Sequence, residues 1–413
     1  NKNKLNENIL FNLGKIYYEN KNFSEAKNMF SELKDIKPSG EVMNYLGLFK
    51  LEEGSYSKAI EYFNKAKEFD DKNSEYLYNL ASAYFLQGWF KEAETVFKLT
   101  ISINPNVEKY HHSLAYLYYQ TERYDMALFE LDSVNKDNNE NEFAKVVRAM
   151  IIAKQGDLIG AKDSLENFIT AYPLNDFAFE SLSKIYKELS QYKEAKDSIE
   201  HALVIKPESL IYLSELVELN IILKEYDEAK IHIEKLIDIN ENFVTAYTAS
   251  AKINYLQEDF SSLYDNAQNI IELDENSPQG YFYNAVALFE QGDINFAFES
   301  MKKAISLDAL NAELYIKMSE FYQKTGDIKT AFLWAKEAAD IENKSYQYKW
   351  LCAKLAIEVK DEKEALHYYS LAFRLGGFDE ALASEYSIYL DSLGKHKQAK
   401  AIRTVSKKNL LTT

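Results

Sequence analysis

Apolar and polar positions follow one another along the chain with the spacing of amphipathic helices. In the stretch 74–107, a first apolar stripe at i, i+3, i+4 and i+7 is formed by Leu77, Leu80, Ala81 and Tyr84. A second apolar stripe follows, formed by Ala93, Val96 and Phe97. Gly88 separates the two stripes, and Pro105 follows the second. Because glycine adopts positive φ angles and proline cannot continue a helix, both residues are typical of helix ends. The pattern predicts two short helices joined by a tight turn.

The same pattern returns at a constant interval along the whole chain. Its reference position, which is small in every copy but one, reads Ala26, Ala59, Ala93, Ala127, Ala161, Ala195, Ala229, Leu263, Ala297, Ala331, Ala365 and Ala399. Of the eleven intervals, ten are 34 residues and the first is 33. The chain is therefore divided into twelve repeats. Two short helices cannot cover their own apolar faces, so neighbouring repeats are predicted to stack.

Other residue types fall into columns when Ala93 is counted as the twentieth place of repeat three (74–107). The eighth place is small in all repeats but one and reads Gly14, Gly47, Ala81, Ala115, Ala149, Ser183, Val217, Ala251, Ala285, Ser319, Ala353 and Ser387. Six of the thirteen glycines share the fifteenth place, namely Gly54, Gly88, Gly156, Gly292, Gly326 and Gly394. The small column predicts a close approach of two helices, and the glycine column predicts a turn with positive φ.

These columns resemble the tetratricopeptide repeat. Its first helix is represented by Leu80, Ala81 and Tyr84, and its second helix and terminal proline by Ala26, Phe30 and Pro38, or by Tyr192, Ala195, Ala202 and Pro207. The resemblance covers nearly the whole chain. It implies an all-α, right-handed superhelical solenoid of helix-turn-helix repeats, a single domain over 1–413 with a leading segment 1–6 and a C-terminal tail 407–413. It also implies a concave groove lined by the first helices.

The groove of this family is built by places two, five, nine and twelve of each first helix. In this sequence those places are apolar or aromatic mainly in repeats three to five and in repeat nine, with Tyr78, Phe85, His112, Tyr116, Tyr119, Phe143, Val146, Met150, Phe282 and Phe289. We expect these ten residues to bind a partner, since exposed aromatic patches mark contact surfaces. The alternative is that the side chains cover one another in a tightly packed superhelix.

Two known ligand modes of the family are disfavoured by the residues. The clamp for a terminal carboxylate is broken by Leu48 and Ser113, although Asn79 and Lys109 match it. The asparagine ladder that holds an extended peptide backbone needs asparagine at the sixth place of most repeats, and only Asn12 and Asn79 provide it.

Composition narrows the classes of partner. The chain has 413 residues, 46% of them hydrophobic, and 65 acidic against 48 basic residues give a formal charge of -17. Such a surface repels phosphate backbones, so nucleic acid is not expected as a partner. No run of about 18 apolar residues is present, so direct membrane insertion by this segment is not expected. The single cysteine, Cys352, offers neither an internal disulfide nor a pair of zinc ligands.

Candidate chemistry is sparse. No phosphate-binding glycine loop, zinc-protease motif or nucleophile elbow occurs, and no two of the six histidines lie at the i, i+4 spacing of a metal pair. The sequence predicts no enzyme, no cofactor and no metal. Adjacent residues of a helix point about 100° apart, so of His111 and His112 one is expected to face a neighbouring helix and the other the groove.

These observations predict a non-catalytic scaffold or adaptor that binds a protein or peptide partner in its groove. One alternative is the interaction module of a larger envelope-associated machine or enzyme, whose anchor or catalytic segment lies upstream of Asn1. Another alternative is a self-assembling structural scaffold, so the oligomeric state stays open. The richness in Asn, Lys, Ile and Tyr is typical of AT-rich, bacterial genomes. The compartment, cytoplasm or periplasm, also stays open.

Overall fold

The computed structural model describes residues 2–20, 22–52, 55–133, 141–376 and 379–409. Over these residues the chain forms twenty-four α-helices and no β-strand. In chain order they are α1 (Lys2–Glu19), α2 (Phe23–Ile36), α3 (Gly40–Glu52), α4 (Tyr56–Phe69), α5 (Ser74–Leu86), α6 (Phe90–Ile103), α7 (Glu108–Gln120), α8 (Tyr124–Ser133), α9 (Glu142–Lys154), α10 (Leu158–Ala171), α11 (Asp176–Glu188), α12 (Tyr192–Ile205), α13 (Leu210–Ile222), α14 (Tyr226–Ile239), α15 (Val244–Leu256), α16 (Phe260–Leu273), α17 (Pro278–Gln291), α18 (Ile294–Leu307), α19 (Ala312–Lys324), α20 (Ile328–Ile341), α21 (Tyr346–Glu358), α22 (Glu362–Gly376), α23 (Glu380–Ser392) and α24 (His396–Asn409).

Each repeat is a pair of successive helices, as the apolar pattern predicts. Helix α1 includes residues 2–6 of the expected leading segment, and α24 includes 407–409 of the expected tail. Asn1, Gly54 and residues 410–413 lie outside the described residues. None of the described helices is long and apolar enough to span a bilayer.

Repeat three shows how the sequence sets the helix ends. The side chain of Asn73 caps α5 by accepting hydrogen bonds from the backbone N–H groups of Glu75 and Tyr76, at 3.0 and 3.3 Å. The two apolar stripes then turn inward and bury Leu77, Leu80 and Ala81 on α5 and Ala93 and Phe97 on α6. The two-helix prediction for this stretch is confirmed.

In repeats three to twelve, whose fifteenth place the structure describes, the turn between the two helices is left-handed. Five glycines adopt φ angles between 72° and 101° there, namely Gly88, Gly156, Gly292, Gly326 and Gly394. This confirms the prediction drawn from the glycine column. Five other repeats place a non-glycine residue in the same conformation, with φ between 58° and 63° at Glu122, Ser190, Lys224, Glu258 and Lys360. The hairpin thus imposes the turn even on side chains that disfavour it.

The two helices of a hairpin meet at the small columns. A Cβ atom added to Gly47 would lie 2.5 Å from a ring carbon of Phe63 on the partner helix, and one added to Gly14 would lie 3.1 Å from the ring of Phe30. All twelve residues at the twentieth place, Leu263 included, are fully buried. The predicted close approach of the helices is confirmed.

The described hairpins form two compact bodies. The N-terminal body is residues 1–207, with repeats one to six, and the C-terminal body is residues 208–413, with repeats seven to twelve. Within each body, successive helices pack against one another, and helices of neighbouring repeats pack in turn. The predicted all-α solenoid of stacked helix-turn-helix repeats is confirmed within each body. The single right-handed superhelix over 1–413 stays a prediction.

Candidate functional site

The first helices of neighbouring repeats lie side by side and run in the same direction. At their N-terminal ends, the Asn175 amide before α11 donates a hydrogen bond to Glu142 of α9 over 2.8 Å. At their C-terminal ends, the Lys154 ammonium of α9 donates to Glu188 of α11 over 2.7 Å. Equivalent places of successive repeats therefore face each other, and side chains with the same place number form rows across the helices.

A cleft of about 490 Å³ opens across the first helices of repeats three to six. We call it the aromatic cleft. It is lined by Tyr78, Ser82, Phe85, Leu86, Phe97, Lys109, His112, Ser113, Tyr116, Phe143 and Phe177. Four successive first helices, α5, α7, α9 and α11, thus contribute aromatic rings to one continuous surface.

The rings of the aromatic cleft touch across repeat boundaries. Phe143 and Phe177 stack with their ring centroids 5.4 Å apart and their planes at 11°. His112 stacks on Phe143 with the ring centroids 4.9 Å apart, and Tyr116 meets the edge of Phe177 at 6.2 Å. These geometries are favourable for aromatic pairs. The rings fix one another in place and remain half-buried, so they still present surface to the cleft.

The two adjacent histidines of α7 point in different directions. His111 is buried, with Nδ1 2.7 Å from a Glu130 carboxylate oxygen and Nε2 3.1 Å from the Pro105 carbonyl. His112 lines the aromatic cleft, and its buried Nε2 has no hydrogen-bond partner among the described residues. Burial holds the pKa of His112 below its ordinary value, against a smaller opposing effect of Glu108. The imidazole in the cleft is therefore kept neutral near pH 7.

Among the described residues that line the aromatic cleft, Lys109 alone carries a charge at neutral pH. Its ammonium lies 4.7 Å from the ring centroid of Tyr78 and 5.5 Å from that of Tyr110. The hydroxyl groups of Tyr78 and Ser113 are hydrogen-bonded at 3.3 Å beside it. The rim of the cleft is thus positively charged while its floor is aromatic.

A second cavity, of about 240 Å³, lies further along the same helices. We call it the lysine pocket. It is lined by Tyr119, Met150, Ala153, Lys154, Ser181, Lys184, Ile185, Lys187 and Glu188. Tyr119 connects it to the aromatic cleft, because its ring stacks 5.9 Å from that of Tyr116. Burial raises the pKa of Tyr119 to about 12, so its hydroxyl stays protonated.

Comparison with models of known protein families identifies the type of repeat. Three models described as tetratricopeptide repeat match residues 11–74, 50–115 and 178–209. The residues that these models cover, 11–115 and 178–209, are tetratricopeptide repeats. No curated protein gives a significant match. The crystal structure of yeast Tom70 is similar over 100% of both chains, at 16% identity and a TM-score of 0.47. Tetratricopeptide repeats support a protein–protein interaction scaffold in general terms.

The tetratricopeptide columns predicted most of the cleft but not all of it. Of the ten expected groove residues, the structure brings five to the aromatic cleft, namely Tyr78, Phe85, His112, Tyr116 and Phe143. Tyr119 and Met150 line the lysine pocket instead. Phe177 was missed, although it occupies the second place of repeat six as Phe143 does in repeat five. The column alone would have found it.

Val146 does not reach the tetratricopeptide groove. It is 0% exposed and belongs to a core cluster against which Tyr116, Tyr119 and Phe177 pack. The aromatic rings of the neighbouring repeats cover it, and α9 buries seven of its thirteen residues. Its expected contact with a partner is corrected accordingly, because a side chain with no exposed surface cannot make one.

The expected groove residues of repeat nine are packed within the C-terminal body. Phe289 is 7% exposed and stacks on Phe321 with centroids 4.0 Å apart and planes at 9°. Phe282 is half-buried and meets the edges of Tyr255 and Tyr283 at 6.0 and 5.3 Å. Packing by neighbouring repeats thus covers most of Phe289, and contact of Phe282 and Phe289 with a partner stays a prediction.

Proposed function

We propose that this tetratricopeptide repeat protein is a non-catalytic scaffold that holds a segment of a partner protein in the aromatic cleft. The observation that carries the proposal is the set of half-buried rings, from repeats three to six, around one open cleft. Its volume of about 490 Å³ lies within the range of about 300–1,000 Å³ that is typical of binding sites. Rings held by their neighbours give contact area at little cost in conformational entropy.

The lining of the cleft supports binding rather than catalysis. Nucleophilic or acid–base catalysis needs a reactive group beside a partner that activates it. Among the described residues around the cleft, no carboxylate or thiol is present, and the neutral His112 is stacked on Phe143. Aromatic rings with a few polar groups at the rim instead fit an apolar segment of a protein.

The experiment is affinity capture from lysate of the native organism with a groove variant beside the wild type. The groove variant is Tyr116→Glu with Phe143→Glu, which places two charges among the rings. The matched control is Phe69→Glu with Phe129→Glu, because both of these phenylalanines are exposed on second helices of the same body. We expect wild type and control to retain the same partners and the groove variant to lose them.

Folding of each variant is checked by circular dichroism and thermal melting. A second, uncharged variant, Tyr116→Ser with Phe177→Ser, removes the rings without burying charge. Partners retained by both folded groove variants would place binding on another face and would contradict the proposal.

A further inference from the structure

Helix α11 carries one surface that changes from apolar to basic along its length. Phe177, near its N-terminal end, lines the aromatic cleft, while Lys184 and Lys187, towards its C-terminal end, line the lysine pocket. Residues three or four apart share a face of a helix, so the series Phe177, Ser181, Lys184 and Lys187 forms one row. At about 1.5 Å per residue, Phe177 and Lys187 lie roughly 15 Å apart along the axis.

The charge of this surface is opposite to that of the protein. The described lining of the two cavities includes four lysines, Lys109, Lys154, Lys184 and Lys187, and one carboxylate, Glu188. With the carboxylate of Glu180, which pairs with Lys184, positive charges still outnumber negative ones. The whole chain has a formal charge of -17. A basic site on an acidic protein attracts an acidic segment to that site and repels it elsewhere, which gives orientation as well as affinity.

Two lysines of the pocket form ion pairs with carboxylates. Lys154 pairs with Glu188 at 2.7 Å, and Lys184 pairs with Glu180 of its own helix at 2.5 Å. Both lysine side chains are more than 40% exposed. Ion pairs of such exposed lysines contribute little to stability, so Lys154 and Lys184 can exchange these partners for a ligand carboxylate.

From this arrangement we infer that the partner segment is acidic and carries an aromatic or large aliphatic anchor. The anchor fills the aromatic cleft, and carboxylates about 15 Å away along α11 meet Lys184 and Lys187. That distance corresponds to about five residues in an extended segment or about ten in a helix. The inference rests on the proposed function, since it names the chemistry of the segment that the same groove binds.

Selection from a display library of random peptides tests the inference. Peptides of about twelve residues span the distance in either conformation. The library is selected on the wild-type chain alone, and each enriched peptide is then tested for binding to the Tyr116→Glu, Phe143→Glu variant. We expect enrichment of sequences that combine one large apolar residue with Asp or Glu at one of the two spacings.

Binding of the enriched peptides is then measured by fluorescence anisotropy on charge variants. The double substitution Lys184→Glu with Lys187→Glu should lower the affinity for the acidic peptides about tenfold. Added salt should lower their affinity for the wild type. The control, Lys58→Glu with Lys193→Glu, changes two exposed lysines of second helices by the same charge. It should leave the affinity within about twofold, since screened distant charges matter little.

The outcomes separate the inference from the proposed function. Enriched peptides that are neutral or basic, yet fail to bind the groove variant, would overturn the acidic partner and leave the groove intact. Enriched peptides that bind the groove variant as well as the wild type would overturn both. If the acidic peptides lose as much affinity for the Lys58→Glu, Lys193→Glu control as for the Lys184→Glu, Lys187→Glu variant, the effect of charge is general. That result would also overturn the inference.

Discussion

The hydroxyl group of Tyr118 in repeat four donates a hydrogen bond to the carboxylate of Glu94 in repeat three, over 3.1 Å. Arg123 and Lys98 approach the same carboxylate at 2.8 and 2.7 Å. Burial alone would raise the pKa of Glu94, but these three donors outweigh it and lower the pKa to about 2. A charged carboxylate thus joins repeats three and four of the N-terminal body.

Acid should weaken the N-terminal body through Glu94. Its folded pKa of about 2 is below the ordinary 4.5, so the unfolded chain binds the proton first. The stabilisation is present above about pH 4.5 and is lost as the pH falls towards 2. Glu94→Gln should lower the free energy of unfolding at neutral pH by about 1–2 kcal/mol. Urea unfolding, followed by circular dichroism over a pH series, should show that the stability difference between wild type and Glu94→Gln decreases in acid. A difference that is constant with pH would contradict this account.

Replacement of His112 by phenylalanine should stabilise the protein. The variant keeps the stacking on Phe143 and removes a buried Nε2 that has no partner among the described residues. We expect a gain of about 1 kcal/mol in the free energy of unfolding at neutral pH. Because the folded pKa of His112 is lowered, the wild type loses stability as the pH falls below about 6.5, where the unfolded chain takes up the proton. Thermal melts at several pH values should therefore show that the stability difference between the variant and the wild type increases in mild acid. A difference that decreases there would contradict the lowered pKa of His112.

The left-handed turns predict opposite effects of two substitutions in the N-terminal body. Ser190→Gly relieves a φ of 59° and should raise the free energy of unfolding by about 0.5–1 kcal/mol. Gly88→Ala should lower it by about 1 kcal/mol, because a Cβ there meets no atom within 4 Å and only the backbone conformation is strained. Chemical denaturation of both variants measures the effects. Changes of the same sign would show that φ does not govern this place.

Asn220 and Asn284 are two buried asparagines of the C-terminal body that differ in their hydrogen bonding. Neither the amide nitrogen nor the oxygen of Asn220 has a partner among the described residues, and the side chain is fully buried. Asn284 accepts from Gln268 at 2.8 Å and donates to Ser300 at 2.6 Å. Asn220→Leu should stabilise the body by about 1–3 kcal/mol, whereas Asn284→Leu should destabilise it by a similar amount. Melting temperatures measure both effects, and a loss of stability on Asn220→Leu would show that its amide has a partner.

The period of 34 residues predicted the helices, the turns and the buried alanine column, because each depends on contacts within one repeat or between neighbours. It did not predict that Glu122 and Lys360 adopt positive φ. No local preference indicates this conformation in a glutamate or a lysine. The packing of the two helices in the hairpin imposes it.

The groove was predicted less completely, for a related reason. Place numbers identify the face of a helix that points towards the groove, and this brought Tyr116 and Phe143 to the cleft. They do not show which neighbouring ring covers that face, so Val146 was expected at the surface and lies beneath it. The lysine pocket depends on residues of α9 and α11 that meet only in the stacked structure. Contact of the remaining groove residues with a partner stays a prediction.

The helices of each body pack chiefly against helices one or two positions away in the chain. Contacts that are local in sequence allow fast folding that can begin at any repeat, and they allow the ends of an array to open independently. A ligand laid across repeats three to six would join hairpins that otherwise depend on their immediate neighbours. Binding would then make the four repeats unfold together and no longer independently of one another. Amide hydrogen exchange would slow together across all four repeats, including those that the ligand touches least.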